Sequence, residues 1–260
     1  QTLTMLTGGI DLSVATIASM TAYVMATQVP TQGDALGIAI ALGCATLVGL
    51  VNGIGIGIFR VQPLIMTLAT GLVTLGVSNV YQKFVLTAGS RVPEPVATLG
   101  AGTSFGFFPN TLFLFIPIAL GIMFLLKRTG YGRMLYAVGD NPVAARLAGV
   151  RVWQVLLLLY VLSGFLAGVA GIVLAGAAKT ATLNAADAYL LPSVAAAVIG
   201  GTSIFGGRGG YGGTIVGALI LRVLLGLLGA LNAPEPIRQI VYGAIILAVA
   251  AAYARITDDG

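Results

Sequence analysis

The sequence predicts an all-α, polytopic helical membrane protein, and three observations carry that reading. Of 260 residues, 58% are hydrophobic and only 8% charged, whereas a soluble domain carries about 25% charged residues to cover its surface. The apolar residues fall in long runs, as helices of about 20 residues that satisfy their own backbone hydrogen bonds in lipid require, and not in the alternating ten-residue strands of a barrel. The chain also holds 37 glycines, and small residues let transmembrane helices approach one another closely. A mean hydropathy of +1.01 agrees with all three.

The elements follow in order. Residues 1–10 are apolar but too few to cross a bilayer, which takes about 20, so the numbering is expected to start partway through a span. Apolar segments then fall at 12–28, 34–59, 63–88, 109–126, 153–178, 186–204, 211–231 and 237–254. With the partial segment before Asp11 they make about nine spans. Gly49-x-x-x-Gly53-x-x-x-Gly57, Gly164-x-x-x-Gly168 and Gly213-x-x-x-Gly217 mark close-packing helix faces. Cys44 sits within an apolar span and, as the single cysteine, can form no disulfide within the chain; it reads as a small apolar side chain.

One long polar island interrupts the spans. The loop 127–152 carries Lys127, Arg128, Arg133, Arg146 and Arg151 against the single acid Asp140. Basic loops stay in the cytoplasm. Counting outward from that anchor places Arg60, Arg208 and Arg255 on the same side and leaves Lys83, Arg91, Lys179 and Arg238 as exceptions outside. The loop also divides the spans into two sets that would run in opposite directions, an expectation of an inverted repeat around a central cytoplasmic loop. Within it, Asp140 and Asn141 are good N-cap residues and Pro142 suits a first turn. Val143-Ala-Ala-Arg-Leu-Ala is helix-forming, and Gly149 is placed to end the run in a left-handed conformation. A short helix over 142–148, outside the membrane, is the expectation. It is either a tidy connector or a handle for another protein.

The positive balance, +5 overall, lies between spans and shows no basic patch interleaved with aromatics, so it sets topology and does not point to nucleic acid. Histidine is absent from the sequence, which removes the commonest general base and metal ligand. No stretch matches the phosphate-cradling pattern Gly-x-x-x-x-Gly-Lys-Ser/Thr; Gly171 to Thr180 has the wrong spacing. Gly207-Arg-Gly-Gly-Tyr-Gly212 formally fits Gly-x-Gly-x-x-Gly but follows no strand, and reads as a tight turn between helices.

Polar residues inside spans are the candidates for a translocation path. An ionised group at the bilayer centre costs about 2.5–3.5 kcal/mol on insertion scales, so it faces protein or water. Arg222, near the middle of 211–231, either pairs structurally or lines the path. Asp11 either caps a helix beginning at Leu12 or carries a proton. Asn52, Asn79 and Gln82 complete the set.

Several strings together resemble the ribose-type carbohydrate permeases, the inner-membrane subunits of bacterial sugar ABC importers, a family that also relates to branched-chain amino acid permeases. The strings are Thr129-Gly-Tyr-Gly-Arg-Met-Leu-Tyr-Ala-Val-Gly, Asn141-Pro-Val-Ala-Ala-Arg-Leu-Ala-Gly-Val, Leu6-Thr-Gly-Gly-Ile-Asp-Leu-Ser-Val14, Gly49-Leu-Val-Asn-Gly53, Arg60-Val-Gln-Pro-Leu-Ile-Met-Thr-Leu68 and Ala197-Val-Ile-Gly-Gly-Thr-Ser-Ile-Phe-Gly-Gly207. The resemblance covers essentially residues 1–260 as a single permease domain, lacking only the family's N-terminus and first of its roughly ten helices.

The resemblance implies two permease subunits forming the pathway, two ATP-binding subunits on the cytoplasmic side that hold ATP and Mg, and a periplasmic substrate-binding protein. It also implies that the loop carries an ATPase-coupling helix, a role that falls on Asn141, Pro142, Ala144, Ala145, Arg146, Leu147 and Gly149. The implied activity is alternating access in a multi-pass bacterial inner-membrane protein, with the C-terminus cytoplasmic and neither catalysis nor a cofactor in this chain. The outer loop from Thr87 to Pro109, with Phe105, Phe107 and Phe108, reads either as a dock for the binding protein or as an interfacial aromatic belt. A related permease for branched-chain amino acids or another small polar solute is the nearest alternative. An ion-coupled transporter would want buried carboxylates, of which Asp11 is the one candidate.

Overall fold

The computed structural model describes residues 1–85, 90–232, 234, 236–237, 239–241, 243–245 and 247–248. In chain order the helices are α1 (Thr2–Met5), α2 (Val14–Gln32), α3 (Asp34–Gly57), α4 (Pro63–Val85), α5 (Glu94–Ala101), α6 (Thr111–Arg128), α7 (Gly130–Asp140), α8 (Pro142–Leu147), α9 (Val152–Ala178), α10 (Leu190–Ile199) and α11 (Tyr211–Ala230). A two-residue antiparallel pair, β1 (Thr103–Ser104) with β2 (Phe108–Pro109), precedes α6. Among the described residues α3, α4, α6, α9 and α11 are long and apolar enough to cross a membrane. Much of the surface of α4 is apolar and exposed, through Ile65, Leu72, Val73 and Val77, as a helix in lipid requires.

The chain folds as two compact units built from interleaved stretches. Asp11–Leu120 and Trp153–Asp187 make one of them. In this unit α2 packs on α3 and α4, around a core of Ala22, Met25, Val29, Ala41, Val96, Ile172 and Ala175. Glycine makes the crossing of α3 and α9 possible. A methyl group at Gly53 would lie 2.7 Å from the Leu157 carbonyl oxygen, and one at Gly57 2.7 Å from that of Trp153. From the other side, a methyl group at Gly164 would lie 2.8 Å from the Gly49 Cα. The small-residue spacing read from the sequence is therefore a helix–helix seam.

Gln1–Ile10, Gly121–Val152 and Ala188–Gly260 make the other unit. Here α1 lies against α10 and α11, and α10 against α11. Met5, Val194, Ala197 and Val198 form one core cluster and Ala195, Ala196 and Leu221 another.

Three expectations change in detail. The loop 127–152 contains an additional helix, α7, ahead of the expected short one; Thr129 caps it by accepting a 3.2 Å hydrogen bond from the Gly132 amide. The segment 186–204 holds a 3-10 turn, Asp187–Tyr189, and then α10 of 10 residues, about 15 Å at 1.5 Å per residue. Gly200 and Gly201, the latter at φ 85°, end α10 before its apolar run is exhausted. The helix expected at Leu12 begins at Val14 with Ser13 as its N-cap, and Asp11 accepts from the Ser13 amide and hydroxyl just ahead of it. Much of the segment 237–254, together with Arg238 and Arg255, lies outside the described residues.

Candidate functional site: a buried polar network and a projecting short helix

Asp11 and Asn52 come together; the other path candidates do not join them. The Asp11 side chain is buried, 1% exposed. Its Oδ1 accepts from the Ser13 amide at 3.0 Å and the Ser13 hydroxyl at 2.6 Å, and its Oδ2 accepts from the Ser163 hydroxyl of α9 at 2.8 Å. Asn52 Nδ2 on α3 donates to Ser13 Oγ at 2.9 Å, and Thr70 on α4 donates to Asn52 Oδ1 at 2.5 Å. The Leu12 amide, left over by the helix start, is taken by Thr67 Oγ1 at 3.0 Å. The network thus ties the start of α2 to α3, α4 and α9. A hydrogen bond of this kind contributes about 0.5–1.5 kcal/mol net, and leaving one of these buried partners without its mate costs about 1–3 kcal/mol. Tyr160, one turn before Ser163, is fully buried, and among the described residues its hydroxyl has no hydrogen-bond partner.

Asn79 is exposed and Gln82 half-buried on α4, and Arg222 is exposed on α11. Ser13, Thr70 and Ser163 escaped the sequence reading. Serine and threonine are common in membrane helices, and nothing in their spacing reveals that they converge on one carboxylate. Between α2 and α4 a second polar contact joins the Tyr81 hydroxyl to Thr27 Oγ1 at 2.9 Å and to Gln28 Nε2 at 2.7 Å. Among the described residues no three His, Cys, Asp or Glu side chains group as metal ligands would.

The short helix forms as its capping chemistry dictates. The Asn141 side chain accepts from the Val143 amide at 3.0 Å and the Ala144 amide at 2.9 Å, and Pro142 stands in the first turn. Gly149 follows at φ 87°, a conformation that costs other residues about 1–2 kcal/mol. Ala145 is buried and anchors α8; Asn141, Pro142, Ala144, Arg146, Leu147 and Gly149 are exposed. Val143, absent from the expected set, is 61% exposed beside Leu147 at 85%. The outward face is therefore apolar with one cation, Arg146. Burial raises the phenol pKa of both Tyr131 and Tyr136, and the Tyr136 hydroxyl donates to the Gly209 carbonyl at 2.8 Å.

A predominantly helical fold among the described residues, with lipid-compatible helix faces, defines a membrane protein. The chain belongs to the family described as "Branched-chain amino acid transport system / permease component", which matches residues 1–250. It is 36% identical over 250 residues to the ribose import permease protein RbsC of Escherichia coli strain K12, covering 95% of this chain and 78% of that one. It is 36% identical over 257 residues to the RbsC of Bacillus subtilis strain 168, covering 95% and 77%. It is 34% identical over 238 residues to the fructose import permease protein FrcC of Rhizobium meliloti, covering 87% and 65%. No solved structure matches it. The family expected from the loop motifs is thereby borne out.

Proposed function

We propose that the chain is the permease subunit of a bacterial ABC importer that moves a sugar or sugar-like solute across the inner membrane by alternating access. The single observation that carries the coupling half of this reading is α8: a capped, rigid helix of 6 residues with an apolar outward face. Such a helix transmits a rigid-body push from a partner. Naming of the relatives for ribose and fructose import supports the solute class.

In this reading Asn141, Pro142, Ala144, Arg146, Leu147 and Gly149 present the coupling surface and Ala145 seats it. ATP and Mg belong to two partner ATPases on the cytoplasmic side, where loop 127–152 and the C-terminus lie. A periplasmic binding protein delivers the solute, and a second permease subunit completes the path. About nine spans, arranged as an inverted repeat around the loop, form one permease domain over 1–260. Interleaving of the two compact units along the chain supports that unity, because neither is a contiguous stretch. Arg222 is a cation in mid-span, exposed on the lone chain, and such a group needs protein or water beside it; it faces the path or the second subunit. Asn79 and Gln82 face the path, whereas Asp11 and Asn52 set the geometry of its helices.

Co-purification from the native membrane tests the reading. Recovery of an ATPase, with ATP-dependent uptake of a pentose or hexose into proteoliposomes, is the expected result. Uptake driven by an ion gradient without an ATPase overturns it, and uptake of leucine in place of sugar overturns the solute class.

A further inference from the structure

The end of α7, one residue before the cap of α8, meets two other segments of the same compact unit backbone to backbone. A methyl group at Gly139 would collide with the Leu6 carbonyl oxygen and lie 2.7 Å from the Gly207 amide nitrogen. A methyl group at Gly206 would lie 2.7 Å from the Gly139 carbonyl oxygen and 2.8 Å from the Gly8 amide nitrogen. The Gly207 amide donates to the Leu6 carbonyl at 3.0 Å, and Tyr136, a turn back on α7, donates to Gly209. Gly8, at φ 74°, and Gly206, at φ 91°, have backbones that other residues adopt only at a cost. Three segments thus touch with no side chain between them to absorb a displacement.

Both loops are braced internally. In the first, the Gly8 amide donates to Met5 and the Gly9 amide to Thr4, at 2.9 and 3.0 Å. In the second, the Ser203 amide donates to the Arg208 carbonyl at 3.0 Å and Ser203 Oγ accepts from the Phe205 amide at 3.1 Å. Beyond the first loop, Met5 packs with Val194, Ala197 and Val198 of α10. A displacement of α7 and α8 therefore has a stiff route to α1 and α10. In the chain, Gly8 also stands three residues before Asp11.

We infer that Gly139 is a positioning joint through which α8, α7 and the loops Leu6–Gly9 and Ser203–Gly209 move as one body. The inference rests on the coupling role proposed for α8. Gly139 touches no solute; its effect passes through the loops it abuts. The test uses the permease assembled with its ATPases in proteoliposomes. Gly139→Ala should keep ATPase co-purification and basal hydrolysis but lower solute-stimulated hydrolysis and uptake about tenfold, within the ordinary range of a coupling loss. Tyr136→Phe should lower them less. Gly121→Ala, in α6 with open space around its Cβ, should change neither. Because Gly139→Ala could fail to fold, spin labels at Ala148 and Phe205, both exposed, in a Cys44→Ala background give a second readout on the otherwise native protein. Their separation should stay fixed between nucleotide-free and ATP-trapped states. A change beyond about 5 Å, one helical turn, overturns the joint, as does normal stimulation in Gly139→Ala and Tyr136→Phe. A native preparation without any ATPase or ATP-dependent uptake instead removes the coupling reading, and the joint with it.

Discussion

The Ser163 hydroxyl on α9 donates a 2.8 Å hydrogen bond to Asp11 Oδ2, 152 residues earlier in the chain. It fastens α9 to the start of α2, where the same carboxylate also accepts the Ser13 amide and hydroxyl. Asp11 is thus a fastener of helices.

Asp11→Ala leaves the Ser13 amide and the Ser163 hydroxyl short of an acceptor in a buried site. Buried donors stranded in this way cost about 1–3 kcal/mol each. Thermal unfolding in detergent should show a clear fall in midpoint for Asp11→Ala and a smaller one for Ser163→Ala. A midpoint equal to the native protein's in both would mean that the network contributes nothing to stability.

Asn141→Ala removes the acceptor for two amides of α8 and should cost the helix about 1 kcal/mol. The bulk fold should survive, since α8 is peripheral and exposed. Arg146→Glu and Gly149→Pro should likewise fold and insert, while lowering ATP hydrolysis stimulated by solute. Wild-type stimulation in both of these would remove the coupling role from this helix.

Gly53→Val should separate α3 from α9, because even a methyl group there meets the Leu157 backbone. Overpacking of this kind costs about 1–3 kcal/mol, occasionally more. Gly43→Val, on the same helix with open space around its Cβ, is the control and should unfold like the native protein. Equal behaviour of the two would deny that the seam is close-packed.

Arg222→Leu should not destabilise the isolated subunit, since Arg222 is exposed on α11 and leucine suits lipid better by about 3 kcal/mol at mid-span. Uptake by the assembled transporter should nevertheless fall, because the proposed position faces the path or the second subunit. Unimpaired uptake would assign Arg222 to neither.

Much of the fold is legible along the chain. Long apolar runs become α3, α4, α6, α9 and α11 within a few residues of their expected bounds, because the period and length of apolar sequence decide what lipid accepts. Loop 127–152 declares α8 through Asn141, Pro142 and Gly149, all local signals. It does not declare α7, whose glycines at 130, 132 and 139 read as loop by propensity. Gly132 is held against the Leu125 and Leu126 carbonyls and Gly139 against Leu6, so tertiary contact overrides a weak helical preference. Neither does the apolar run 186–204 announce that α10 stops at Ile199; that follows from the turn that Gly200 and Gly201 make.

The sequence by itself determined the solvent this chain folds in, its helical class and its short capped helix, since hydropathy, periodicity and capping act over a few neighbouring residues. Only the tertiary structure decided that Asp11, Ser13, Asn52, Thr70 and Ser163 form one buried network, and that Gly139 meets Leu6 and Gly207. Those partners lie far apart in the chain, and hydrogen bonds and close backbone approach act over a few ångströms of space, whatever the number of residues between.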